Sequence, residues 1–261
     1  MMQIKPFRKL TIVAIGLLCF CTAFISEQKP IKIWMIGDST MCDYESSRAP
    51  LTGWGMPFAC FFTPAVQVNN RAKGGRSTRT FIAEKRWDNV SDSLSKGDYV
   101  LMQFGHNDAA KGERYKERYT SVPDYKTNLA RFIKESRAKN AIPILITPVS
   151  RMSFDKNGHA NETHMEYSAA VYEVAKIYDV PVIDLDRESR AMYEKMGPSG
   201  AKQLFMQLES GVHPNYPEGK KDNTHFNEFG ARKIAQIVLS EMKKQQLELC
   251  NYVVQPKPLK K

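Results

Sequence analysis

At 261 residues and 42% hydrophobic composition, the chain is long enough to bury one sizeable core and suits a single α/β domain. Its formal net charge of +10 comes without a dense basic run interleaved with aromatics, which argues against nucleic acid as a partner. Its five cysteines show neither a disulfide framework nor metal-ligand spacing, which argues against a disulfide-stapled scaffold.

The first 25 residues read as a secretory signal peptide and not as part of the fold. Lys5, Arg8 and Lys9 form a basic start, Leu10 to Phe20 an apolar run, and Cys21-Thr22-Ala23 a small-residue cleavage candidate. The run is short for a membrane span. Export to the periplasm or the outside follows. Lipid anchoring through Cys19 or Cys21 is the second reading, because neither follows a small residue. Loss of the three leader cations lowers the charge to +7, and three of the remaining lysines (Lys257, Lys260 and Lys261) sit near the C-terminus. Cys42, Cys60 and Cys250 then remain, either with one bridge among them or as free thiols.

The apolar run Ile33–Ile36 ends abruptly in Gly37-Asp38-Ser39-Thr40, which is the pattern of a buried parallel strand running into a turn. Gly37 allows a tight exit, and Asp38 and Thr40 can bond the loop's own backbone. A long loop, 43–52, leads to Gly53-Trp54-Gly55 and a short helix over 57–62. Val66–Val68 is a short strand, followed by a loop with adjacent Gly74 and Gly75, and 78–84 begins a helix. Asp98 to Phe104 is the next strand and runs into Gly105-His106-Asn107-Asp108. Residues 109–123 are a polar loop without a recognisable motif.

Residues 125–140 form an amphipathic helix with Leu129, Phe132, Ile133 and Ser136 on one face, and 142–146 a buried strand closed by Thr147-Pro148. Met165, Ala169, Tyr172 and Lys176 share one face of the next helix. A last strand spans 180–185 and a helix 186–196. A loop over 211–221 precedes a final helix capped by Asn227, with Ile234, Ile237, Val238 and Met242 inward. Residues 251–261, with Pro256 and Pro258, read as a loose tail after a single domain over 26–250. Strands alternate with helices throughout, which predicts a three-layer α/β/α sandwich around a mostly parallel five-stranded sheet.

In such a sheet, chemistry collects beyond the carboxyl ends of the strands. Ser39, Gly75 and Asn107 each follow a strand, and Asp222-Asn223-Thr224-His225 stands just before the final helix. An Asp three residues before a His can hold Nδ1 and leave Nε2 facing outward as a base. Ser39 then reads as nucleophile, His225 as base and Asp222 as its orienting partner. The N–H groups of Ser39 and Gly75 and the Asn107 amide read as oxyanion donors. Gly-Asp-Ser by itself fits a capping turn equally well, and D-x-x-H a surface histidine; the combination carries the reading. Arg76, His106 and Arg151 are candidate substrate contacts. His106 also suits a structural role, Arg151 a surface ion pair, Trp54 the core, and His159 and His164 solvent.

In order and spacing these blocks resemble the SGNH (GDSL-type) hydrolases. Gly53-Trp54-Gly55, Asn70 to Ser77, Phe104 to Asp108, Thr147 to Arg151 and Asp222 to Phe226 are similar, more narrowly, to the rhamnogalacturonan acetylesterase group, carbohydrate esterase family twelve. The resemblance covers nearly all of the chain after the leader. It implies a flavodoxin-like fold, a triad of Ser39, Asp222 and His225, an oxyanion hole of Ser39, Gly75 and Asn107, and no metal or organic cofactor. It also implies an acetylated polysaccharide substrate, acidic pectin, with no stable protein partner. The mild basicity suits a uronic-acid polymer, though solubility alone explains it too. The alternatives are an esterase, lipase or thioesterase for another acyl group, such as acetylated xylan or small esters, and a non-catalytic carbohydrate-binding protein. A metallophosphoesterase would need more His and Asp ligands at matched spacings than five histidines supply.

Overall fold

Strand β1, Ile31–Gly37, lies between two neighbours, and its side chains alternate strictly between two buried faces. Ile33 and Met35 point to one face, Trp34 and Ile36 to the other, and all four are at most 5% exposed. A strand covered on both faces has no solvent side to show, so its sequence is a continuous apolar run and not an alternating one. The computed structural model of this chain describes residues 30–255. The expected leader, with its alternative lipidation sites, and residues 256–261 lie outside the described residues.

The sheet has five parallel strands in the order β2-β1-β3-β4-β5: β2 Val66–Asn70, β3 Tyr99–Gln103, β4 Ile142–Ile146 and β5 Val182–Ile183. Gly37 pairs with Gln103 and Met35 with Asn70, so β1, β2 and β3 end at nearly one level. Gly37 is required there, because a Cβ would lie 2.5 Å from the Gln103 carbonyl oxygen. The architecture agrees with the expected α/β fold, and the last strand is shorter than expected, two residues instead of six.

Helices cover both faces. On the Trp34, Val100 and Met102 face pack α1 Thr78–Ala83, α2 Arg86–Ser91, α3 Val122–Ala138 and α4 Met165–Tyr178, through Phe81, Trp87, Phe132 and Val171. On the Met35, Leu101 and Ile144 face pack α5 Leu185–Ala201 and α6 Glu228–Lys244, through Tyr193, Ile234, Val238 and Met242, with Trp54 and Phe58 from the loop after β1. Asn227 caps α6 as its sequence predicts, its side chain accepting from the Gly230 N–H at 3.0 Å. The helical backbone of α5 breaks after Met196, where Gly197 has φ 71° and Pro198 restarts a short turn.

Met165, Ala169, Tyr172 and Lys176 do share one face of α4, and it is the solvent face: Met165 is 63% and Tyr172 44% exposed, whereas Tyr167, Ala170, Val171 and Val174 are buried. Two expectations are corrected. Residues 220–226 are not a loop but strand β7, Lys220–Phe226, antiparallel to β6, Phe205–Leu208, in a separate ribbon. The chain also stays packed past residue 250, through a 3₁₀ turn at Glu248–Tyr252 and a bridge between Val253 and Phe62 that leaves Val253 5% exposed. Cys42, Cys60 and Cys250 are free thiols.

Candidate active site

Ser39 stands two residues beyond β1 in a turn closed by the Asp38 carbonyl, which accepts the N–H groups of Met41 at 3.3 Å and Cys42 at 3.0 Å. The buried Asp38 carboxylate fastens the same turn, accepting from the Thr40 N–H and hydroxyl at 2.9 and 2.8 Å. Behind it, Trp54 Nε1 donates to Gln103 Oε1 at 2.7 Å, and Gln103 Nε2 donates to Thr40 Oγ1 at 3.0 Å. Trp54 is fully buried and belongs to this support and not to a sugar platform. Ser39 is thereby fixed from below while its side chain stays partly exposed.

The imidazole comes from the ribbon. Phe205 pairs with Phe226 and its neighbour Met206 with Asp222, so Asn223, Thr224 and His225 bulge out of the β6–β7 ladder. Bulges re-aim side chains beside sites, and this one carries His225 to the sheet edge. Its loop is held by Met152, whose N–H donates to the Asn223 carbonyl at 2.8 Å. His225 Nε2 lies 2.9 Å from Ser39 Oγ, and Nδ1 lies 2.8 Å from Asp222 Oδ2. The other Asp222 oxygen accepts from the N–H groups of Thr224 and His225 at 2.8 and 3.0 Å. Burial alone would raise the Asp222 carboxyl, but the His225 bond and charge and these two N–H donors outweigh it and hold the carboxyl well below the usual range. An ionised carboxylate on Nδ1 keeps the proton there and leaves Nε2 free to take one from Ser39.

The three expected oxyanion donors, on Ser39, Gly75 and Asn107, line one crevice. Neither the Ser39 nor the Gly75 N–H has an acceptor among the described residues. Gly75 is a glycine for its φ of 80°, not for lack of room: among the described residues beyond its chain neighbours, only Arg118 Nη1, at 3.9 Å, would come within 4 Å of a Cβ there. Asn107 Nδ2 donates one hydrogen to the Arg76 carbonyl at 2.9 Å, which fixes the amide and leaves its second N–H over. Asp108 joins the loops that carry Gly75 and Asn107, its Oδ1 accepting the Thr78 N–H at 2.9 Å and the Thr78 hydroxyl at 2.6 Å.

Burial pushes the Asp108 carboxyl up to about 7, against the pull of the Thr78 donors. From about pH 4 to 7 the folded chain therefore holds a proton that the unfolded chain has lost, so stability falls as pH rises through that window. Asp108→Asn keeps an oxygen for Thr78 and has nothing to ionise. Melting curves between pH 4 and 8 are expected to show a flatter profile for the variant; equal slopes would exclude Asp108 as the titrating group.

The crevice around Ser39 and His225 has a volume of about 830 Å³ and also takes in Gly75, His106, Asn107 and Arg151. Arg76 lines an adjoining groove with Gly75, Tyr115 and Arg118, its Nε facing Glu84 at 3.1 Å and its Nη1 the Gly74 carbonyl at 2.8 Å. His106 lines the crevice. It is 5% exposed, neither ring nitrogen has a partner among the described residues, and burial drives its pKa well down. His164 is corrected from solvent to core: its ring centroid lies 4.2 Å from that of His106, and burial pushes its pKa down to about 3. Lys73, Tyr115 and Arg118 line the crevice unforeseen. The cation–aromatic spacing Arg114-Tyr115 and Arg118-Tyr119 was the available signal. Among the described residues no three His, Cys, Asp or Glu side chains gather as a metal ligand set.

A strand-exit serine, an outward imidazole, an ionised orienting carboxylate and unpaired N–H donors define a serine hydrolase of carboxylic esters. The chain belongs to the GDSL-like lipase/acylhydrolase family, whose pattern matches residues 35–232. It is 40% identical over 227 residues to the rhamnogalacturonan acetylesterase RhgT of Bacillus subtilis (strain 168), covering 87% of this chain and 96% of that one. It is 35% identical over 224 residues to YesY of the same organism, named a probable rhamnogalacturonan acetylesterase, covering 85% and 97%. Among solved structures, Bacillus subtilis YxiM superposes with a TM-score of 0.73 at 27% identity, over 84% of this chain and 58% of that longer one.

Proposed function

We propose that the protein removes O-acetyl groups from an acidic plant cell-wall polysaccharide, a pectic rhamnogalacturonan. The observation that carries the chemistry is the unbroken line Asp222–His225–Ser39 opening into the crevice. Ser39 Oγ attacks the acetyl carbonyl carbon and gives its proton to His225 Nε2. The oxyanion that forms takes hydrogen bonds from the Ser39 and Gly75 N–H groups and the Asn107 amide. Collapse breaks the bond to the sugar oxygen, which takes the proton back from His225, and leaves Ser39 acetylated. Water, deprotonated by His225, then releases acetate by the same steps in reverse roles. No metal or cofactor enters this sequence.

The substrate reading is supported by the named activity of the relatives and by cations around the crevice. Export through a cleaved leader over residues 1–25 is part of the proposal, since polymers too large to enter a cell are met outside it. Acetate release is to be measured on acetylated rhamnogalacturonan, acetylated xylan and lipid esters. Rhamnogalacturonan is expected to be preferred, with a KM that rises with ionic strength as the Debye length shrinks to ~3 Å at 1 M salt. A small neutral acetyl ester is expected to show little salt dependence. Faster turnover of neutral xylan would overturn the pectin assignment and leave the esterase chemistry standing.

A further inference from the structure

Two arginines flank the Ser39–His225 pair without a carboxylate of their own. Arg151 Nη1 donates to the Thr224 hydroxyl, next to His225. Arg118 lies over the Tyr115 ring at 4.4 Å, and its Nη1 is 3.9 Å from the place of a Gly75 Cβ, so it stands against the loop that carries an oxyanion donor. The Nε of Arg118 is buried with no hydrogen-bond partner, and neither arginine has an ion pair among the described residues. Arginines that only hold this fold are treated otherwise: Arg131 pairs with Asp88 and Glu135, and Arg190 with the buried Asp186. Arg151 feels Asp38 and Asp222 only beyond ion-pair distance, and Arg118 repels it. Partly buried guanidiniums kept near each other and left unpaired are costly unless an anion arrives with the substrate.

We infer that Arg118 and Arg151 form a carboxylate subsite beside the nucleophile, taken by the carboxylate of a uronic acid in the acetylated saccharide. The proposal rests on the polysaccharide esterase reading and adds to it a fixed register. Guanidinium forks bind carboxylates in two-pronged, directional contacts, unlike diffuse attraction to a basic surface. Asp43 and Glu45, on the loop after β1, line the same crevice, where Arg48 of that loop and Lys73 offset their charge. With the acid held by Arg118 and Arg151, the acetylated hydroxyl belongs to the uronic acid itself or to a sugar bonded to it.

The test uses two acetylated oligogalacturonides that differ only in whether the carboxylates are free or methyl-esterified. The native enzyme is expected to prefer the free acid by about 10- to 100-fold in kcat/KM, the range of a hydrogen bond to a charged group. Arg118→Gln and Arg151→Gln are each expected to shrink that ratio to a few-fold, and Arg118→Lys to restore part of it. A ratio within one variant does not depend on how much of it is folded. Separately, D-galacturonate is expected to inhibit 4-nitrophenyl acetate hydrolysis more strongly than D-galactose, and Arg118→Gln to erase the difference. Equal kcat/KM for both oligosaccharides in the native enzyme, or a ratio that survives both Gln variants, would overturn the subsite. If neither oligosaccharide is deacetylated, the galacturonate–galactose comparison decides the subsite, and acetate release from acetylated rhamnogalacturonan decides the polysaccharide reading separately.

Discussion

Ser39→Ala is expected to lower kcat for acetyl ester hydrolysis on the order of 10⁶-fold while leaving a folded protein, because the hydroxyl supplies the only atom that becomes acylated. The fold should not notice the change. Ser39 is partly exposed, and the turn that holds it is made by Asp38, Thr40 and the N–H groups of Met41 and Cys42, none of which is touched. A serine-directed phosphonate should label the native enzyme at Ser39 and leave the variant unlabelled. His225→Ala is expected to cost about as much, and the Ser39→Ala, His225→Ala double variant little more than either alone, since the two act as one unit. Asp222→Asn should cost less, roughly 10⁴-fold, because the carboxylate orients and stabilises the imidazole while the imidazole moves the proton. Full activity in Ser39→Ala would remove the mechanism at its first step.

The parts of this site legible in the sequence are those that depend on short spacing. Gly37-Asp38-Ser39 is legible because the fully covered part of β1, Ile33 to Ile36, is apolar throughout, so the change from Ile36 to Asp38 marks the sheet edge. Asp222 and His225 are legible because three residues can bring a carboxylate to Nδ1, and because the other blocks stand beside them in the chain. What stayed hidden depends on partners far away in the chain. The ribbon that presents His225 reads Lys-Lys-Asp-Asn-Thr-His-Phe, with no apolar alternation, because it lies outside the sheet, pairs with β6 alone and bulges. The α4 face read from Met165, Ala169, Tyr172 and Lys176 is real but solvent-facing, while Tyr167, Ala170, Val171 and Val174 are the residues that reach the core.

The arginines show the same division. Arg76 is the residue next to the glycine pair, and proximity in sequence suggested the crevice. Glu84, eight residues on at the C-cap of α1, pairs with its guanidinium. Arg118 sits in a stretch with no motif. It reaches the crevice because Asp108 and Tyr167 anchor the end of that loop: the Thr120 N–H donates to the Asp108 carbonyl at 3.1 Å, and the Tyr167 hydroxyl donates to the Thr120 carbonyl at 2.6 Å. No local pattern encodes those contacts, since they join residues 12 and 47 positions apart.

Asn107→Ala is expected to lower kcat roughly 10²–10³-fold with a much smaller change in KM, the cost of losing one preorganised oxyanion donor. The argument starts from where the amide is held. Asn107 follows β3 by four residues and is 6% exposed, and its Nδ2 spends one hydrogen on the Arg76 carbonyl at 2.9 Å. That bond fixes which end of the amide is nitrogen and aims the remaining N–H, so no reorganisation is needed when charge develops on the substrate oxygen. The ground-state carbonyl carries little of that charge, which is why the loss should fall on kcat and not on KM. Asn107→Asp keeps the shape, removes the donor and adds a negative charge beside the oxyanion, so it should be at least as damaging as Ala. Gly75→Ala keeps its N–H but must hold φ near 80°, a strained value for alanine, so a smaller loss accompanied by lower thermal stability is expected. Steady-state kinetics on one acetyl ester, with melting temperatures for all three variants, separates the cases. An Asn107→Ala enzyme with native kcat and raised KM would make Asn107 a ground-state substrate contact and leave the oxyanion to the two backbone donors.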